Sequence, residues 1–172
     1  MLFLIQDGIT NGAIYALLGL ALVLVFAVTR VILIPQGEFV TYGALSYAML
    51  CAGNVPGTVW LAMAMGAGAF AFDLLAARRG LHLRKLARSL ALNIVFPAAI
   101  LAATYLLVGP KTPIAVNIVL ALLIVAAISL YLYRLAFQPL AHTSVLVLLI
   151  ASVGVHLALQ GLGLVFFGAE GL

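Results

Sequence analysis

GAIYALLGLALVLVFAVTRVILIPQGEFVTYG, Gly12–Gly43, is almost free of polar atoms up to Thr29. It then places Arg30, Pro35, Gln36, Gly37 and Glu38 in quick succession, and apolar residues resume at once. A helix needs about 20 mostly apolar residues to cross a hydrocarbon core about 30 Å thick. The first part meets that requirement. Proline removes a helical donor and glycine loosens the ladder further, so the stretch reads as a spanning helix, a broken seam and a second helix setting off.

The same pattern repeats along the chain. Six apolar segments are predicted, at 9–29, 36–52, 58–77, 90–108, 114–133 and 144–167, the second being the shortest. CAGNVPGT (51–58) and GPKTP (109–113) are Gly/Pro turns, RRGLHLRKLAR (78–88) is a basic loop, and YRLAFQPLAHTS (133–144) ends a helix and bends at Pro139. Of the 172 residues 67% are hydrophobic and 7% charged, with a mean hydropathy of +1.34. That charge cannot cover the surface of a soluble domain of this length, so lipid is the expected solvent. The fold class is therefore all-α, a polytopic transmembrane helix bundle of about six spans, one of them broken or short.

Charge sets the expected orientation. With 78–88 in the cytoplasm, Arg30, Arg78, Arg79, Arg84, Lys85, Arg88 and Arg134 all fall inside and Lys111 outside, a strong positive-inside bias. The N-terminus and the FGAEGL end are then outside. The net charge of +4 belongs to these loops and not to a nucleic-acid surface; the basic loop is expected to meet anionic lipid heads. MLFLIQDGITNG lacks a basic leader region, so a cleaved signal peptide is not expected. Cys51 is the single cysteine, which excludes an intrachain disulfide and a thiol-rich metal site.

Polar groups inside spans are costly and tend to face protein or water. Asn11, Tyr15 and Gly19 share one helical face, compatible with packing or with a pore lining. Ser152, His156 and Gln160 form a second stripe, His156 standing without a partner at metal-ligand spacing. Ala62 with Gly66 and Ala64 with Gly68 read as packing surface. Asp73 is expected to pair with Arg78 or Arg79. Glu38, Thr41 and Tyr42 fall on one face after the seam, with Gly37 expected to allow close backbone approach. Two readings stay open there: a transport path lined by a broken helix, and a surface turn in which Glu38 pairs with Arg30. An intramembrane enzyme using Glu38 and His156 needs the two within hydrogen-bond reach. Their expected depths oppose it, Glu38 near the cytoplasmic face and His156 in mid-span.

Two blocks resemble a known family. NGAIYALLGLALVLVFAVTRVILIPQGEFVTYGA carries Asn11, Gly12, Tyr15, Ala16, Leu17, Arg30, Ile32, Gly37 and Glu38, and is similar to the N-terminal signature of permease subunits of branched-chain amino acid ABC importers, with its N-G-x-x-Y-A-L start and R-x-I-N-F-A-H-G-E-like segment. YRLAFQPLAHTSVLVLLIASVGVHLALQ carries Arg134, Leu135, Ala136, Pro139, Leu140, Leu149, Ile150, Ala151 and Gly154, and resembles the family's R-L-A-Y-R-P-L-R stretch followed by L-I-A-T-I-G. The chain departs from the pattern at Leu33, Ile34, Pro35 and Gln36, where the family has N-F-A-H.

The resemblance implies a single permease domain over 1–172, incomplete at its C-terminus, with 58–113 as a two-helix insertion. It implies the translocation path for branched-chain or related amino acids in a bacterial inner membrane. The implied partners are a second permease subunit, cytoplasmic ATP-binding subunits, a periplasmic substrate-binding protein and membrane lipid. No Walker-type motif is present, so ATP hydrolysis is expected of separate subunits. The expected path residues are Asn11, Tyr15, Gln36, Gly37, Glu38, Thr41 and His156, with no catalytic residue, cofactor or metal. The alternatives are a permease for a sugar, urea or amide, and a non-transporting assembly subunit.

Overall fold

The computed structural model describes residues 1–77, 83–109 and 112–168, and among these helices alternate with short turns and no strand occurs. The helices are α1 (Leu2–Thr29), α2 (Gln36–Cys51), α3 (Thr58–Ala77), α4 (Leu83–Leu90), α5 (Phe96–Leu107), α6 (Ile114–Leu132) and α7 (Val145–Phe167). A π-helical stretch, Ala91–Val95, joins α4 and α5 into one rod. A second, Tyr133–Phe137, extends α6. Six rods result, and five are long and apolar enough to cross a membrane. The exception is α2, with 16 residues.

The rods run up and down in turn. α2 and α7 are parallel, since Ile34, Glu38 and Tyr42 meet Ser152, His156 and Leu159 in the same order. α2 and α6 are antiparallel, with Gly43 against Val125 and Cys51 beside Asn117. One end of the bundle carries Arg30, Arg88 and Arg134; the opposite end carries the turns before α3 and α6.

α6 is the central rod. Ile124, Ala127 and Ile128 are fully buried among Val59, Ala62, Ile100, Leu148 and Leu159. Around this core Leu24, Leu122, Leu146 and many other large apolar side chains point outward. In water such a surface would drive aggregation; in hydrocarbon it costs nothing. Cohesion then comes from close packing and a few polar bonds between helices. α1 has no buried residue. It is tied to the bundle through its second half, where Gln36 Nε2 donates to the Leu18 carbonyl at 2.9 Å.

Both π-helical stretches end two residues before a proline, Pro97 and Pro139. A proline cannot donate to the carbonyl four residues back, so the carbonyls of Asn93 and Leu135 lose their usual partner and the ladder widens locally. The widening serves one polar cluster. Arg134 holds both carboxylate oxygens of Asp73, at 2.7 and 2.6 Å, and the Asn93 side-chain oxygen at 2.8 Å. Ser89 donates to Asp73, and the Asn93 amide donates to Asp73 at 3.1 Å and to Ser89 at 3.0 Å. Asp73 is thus bonded across the bundle to Arg134, whereas Arg78 and Arg79 lie outside the described residues. The bare face of Gly66 lets α3 close on this region: a Cβ there would run into the Asn93 carbonyl oxygen and reach Pro97 at 3.0 Å. Ala62 and Gly66 are buried as the small-residue spacing predicts, while Ala64 and Gly68 face outward.

Candidate functional site

The site begins where α1 stops. Arg30 adopts a left-handed conformation (φ 56°), and its N–H caps the Phe26 carbonyl at 2.8 Å. The chain then turns back along α1, with Val31 buried and the Ile34 N–H donating to Ile32 O at 3.0 Å and Ser152 Oγ at 2.9 Å. Non-helical backbone inside a membrane requires such cover, and here α7 supplies it. Pro35, lacking an N–H, is the N-cap of α2.

This return path sets the depth of Glu38. At about 1.5 Å per residue, Leu18, to which Gln36 is bonded, lies about 16 Å up α1 from Thr29. By the same measure, His156 lies about 16 Å along α7 from Val145. Both place Glu38 and His156 near the middle of a core about 30 Å thick. The depth argument that set the two residues apart is therefore overturned. The seam climbs back into the bundle and does not turn at its surface.

There Glu38 Oε1 stands 2.9 Å from His156 Nδ1. Glu38 pairs with His156 and not with Arg30, which removes the surface-turn reading. The pair is enclosed but not fully sealed, with side-chain exposures of 17% for Glu38 and 31% for His156. The contact is close without being an aligned hydrogen bond: His156 Nδ1 and Glu38 Oε2 are both buried without a hydrogen-bond partner. One turn further on, Tyr42 OH donates to the Leu159 carbonyl at 2.6 Å, and its ring lies 6.0 Å from that of Phe167.

From Glu38 a cleft of about 250 Å³ runs between α2 and α7 to Gly168 at the end opposite the arginines. Thr41, Leu45, Gln160 and Leu164 are among its walls, with Glu38 at the inner limit. Glu38, Thr41, Tyr42 and Gln160 are the polar residues of a lining that is otherwise apolar, a composition suited to a small solute held by a few polar contacts.

The expected path residues separate into groups. Glu38 and Thr41 line the cleft, and His156 stands behind Glu38 outside the lining. Gln36 faces the other side of α2, toward α1. Gly37 is exposed and a Cβ there would meet nothing within 4 Å, so the expected close backbone approach does not occur. Asn11 and Tyr15 are exposed on α1, Tyr15 by 73%, away from the pair. Tyr42, Leu164 and Phe167 were missed as site residues, although Glu38–Tyr42 is an i, i+4 step that continues the polar face.

In the cleft the Thr41 hydroxyl donates to Gly37 O at 3.1 Å and the Tyr42 hydroxyl to Leu159 O at 2.6 Å. Among the described residues no group of three His, Cys, Asp or Glu is placed to hold a metal. Comparison with protein-family models, curated proteins and solved structures gave no match.

Proposed function

We propose that the chain is a permease subunit of an ABC importer, providing part of the path for branched-chain or related amino acids in a bacterial inner membrane. The observation that carries this reading is the cleft between α2 and α7, which runs from Glu38 to Gly168 near one end of the bundle. An outward-open half-path has this form, and alternating access would require the helices around Glu38 to part toward the other side. Arg30, Arg88 and Arg134 gather at the end away from the cleft mouth. The positive-inside rule makes that end cytoplasmic, so the mouth and the N-terminus face outside. A second permease subunit, cytoplasmic ATP-binding subunits and a periplasmic binding protein complete the transporter. The two motif blocks support the family; the Glu38 carboxyl in the lining offers an amine-bearing cargo a hydrogen-bond acceptor. A hydrogen bond from an ammonium to a carboxylate is roughly twice as strong as a neutral one, so a sugar, urea or amide gains less there.

Uptake by the reconstituted complete transporter tests the reading. Glu38→Gln keeps the shape and removes the charge, and uptake is expected to fall about tenfold or more, with expression and assembly near wild type. Gly37→Ala, in open space, should leave uptake unchanged. Normal uptake by Glu38→Gln would return the pair to a packing role.

A further inference from the structure

We propose that the seam between α1 and α6 seats one anionic phospholipid, its phosphate at Arg30 and one acyl chain lying along the groove over α2. The seat is separate from the cleft between α2 and α7 and lies on the other side of α2, where Gln36 faces α1.

α1 meets the bundle mainly along α2. Leu18 and Ala21 of α1 and Leu122 of α6 wall a recess of about 730 Å³ floored by Phe39 and Ala44 of α2. Toward the basic end Phe39 also borders a smaller recess, between Val25 and Thr29 of α1 and Tyr133 beyond α6. The two follow one another along α1, whose half-buried positions 18, 21, 25 and 29 recur at helical spacing. At about 1.5 Å per residue, Leu18 to Thr29 covers about 16 Å. That is about half of a core about 30 Å thick, the depth of one leaflet and the reach of one acyl chain. Apart from Tyr47 and Gln36, whose amide is given to the Leu18 carbonyl, the large recess is apolar. A transmembrane helix, about 10–12 Å across with its side chains, would have to push α1 off α2 and break that bond. A single chain of methylenes would not.

Arg30 supplies the other half of the seat. Its chain neighbours Thr29 and Val31 both line the smaller recess. Arg30 itself is exposed and held in left-handed backbone (φ 56°) at the end of α1. Among the described residues no carboxylate pairs with it. Arg134, by contrast, is taken by Asp73, and Arg88 stands on α4, which packs on α3. A guanidinium holds a phosphate through parallel N–H···O bonds. A cation at the membrane surface, continued inward by an apolar groove one leaflet deep, is complementary in charge and in length to an anionic phospholipid.

Native mass spectrometry of the purified chain in detergent tests the seat, with equimolar phosphatidylglycerol and phosphatidylcholine carrying the same acyl chains. One phosphatidylglycerol is expected to be retained in preference, because the choline head brings its own cation to the phosphate. Arg30→Asn removes the charge while keeping a residue that tolerates left-handed backbone. It should lower phosphatidylglycerol retention about fivefold and abolish the preference, which Arg30→Lys should largely keep. Arg88→Gln, away from the seam, should behave as wild type. Ala44 is exposed in the groove floor, so Ala44→Phe fills the groove without entering the core and should lower retention of both lipids. Equal retention of the two lipids by the wild type, or equal losses in Arg88→Gln and Arg30→Asn, would overturn the headgroup contact. Unchanged retention by Ala44→Phe would overturn the acyl seat.

Discussion

Gly66→Ala is expected to prevent the bundle from closing, although it adds one methyl group to a helix that would otherwise welcome alanine. In an open helix the change should stabilise, since glycine costs about 1 kcal/mol relative to alanine. At Gly66 the new Cβ meets the Asn93 carbonyl oxygen, a backbone atom, and the Pro97 ring at 3.0 Å. Neither can swing aside as a long side chain would, so α3 must move off the α4–α5 rod. Overpacking of this kind costs about 1–3 kcal/mol, and displacement here also strains the bonds that Asn93 makes to Arg134 and Asp73. The expected result is a large loss of monodisperse protein in detergent and a lower thermal midpoint. Gly68→Ala is the control: its Cβ would find only Leu135 Cδ1 at 3.8 Å, an ordinary contact, and should be neutral or slightly stabilising. Equal behaviour of the two variants would contradict the close approach at Gly66.

Removing Asp73 is the second large effect. Asp73→Ala leaves the Arg134 guanidinium without its counter-ion among buried neighbours, and leaves Ser89 and Asn93 without their shared acceptor. A fully buried pair broken on one side costs about 3–5 kcal/mol and an exposed one about 0–1 kcal/mol. With side-chain exposures of 32% for Arg134 and 22% for Asp73, the discounted expectation lies between those limits, at about 2 kcal/mol. Arg134→Lys should recover only part of the loss. A single ammonium cannot reproduce the planar fork that holds Asp73 and Asn93 together. The measurement is thermal aggregation of purified variants; full stability of Asp73→Ala would show that the cluster does not brace the bundle.

Much of the architecture was legible in the sequence because hydropathy and proline placement act locally. The limits of α2, α3 and α7 agree with the expected segments to within a residue or so, and the paired apolar and basic stretches anticipated the alternation of the rods. Pairing across the bundle was harder. Asp73 was assigned to the nearest cations in sequence, but its carboxylate reaches an arginine on another rod, and only packing of α3 on α6 brings them together. The meeting of Glu38 with His156 was lost for a related reason. An arginine followed by proline and glutamine looks like a membrane-surface turn unless the Ile34 N–H can be capped, and its cap, Ser152, lies on α7. The π-helical stretches had a local signal, a proline four residues after Asn93 and after Leu135, which marks a released carbonyl but does not say what it faces. Gly37 shows the opposite error, since its freedom beside a proline was taken for close packing where there is open space.

If the proposed transport path is right, the cleft that runs from Glu38 is wet and opens to the outside. Gln160 lines that cleft on α7, so a cysteine placed there, with Cys51 replaced by alanine, reports on it directly. In intact cells expressing the chain together with its proposed ABC-importer partners, Gln160→Cys should react with a membrane-impermeant thiol reagent added outside, and reaction should block uptake. A thiol that reacts only from the cytoplasmic side, or not at all, would contradict the orientation and the cleft together.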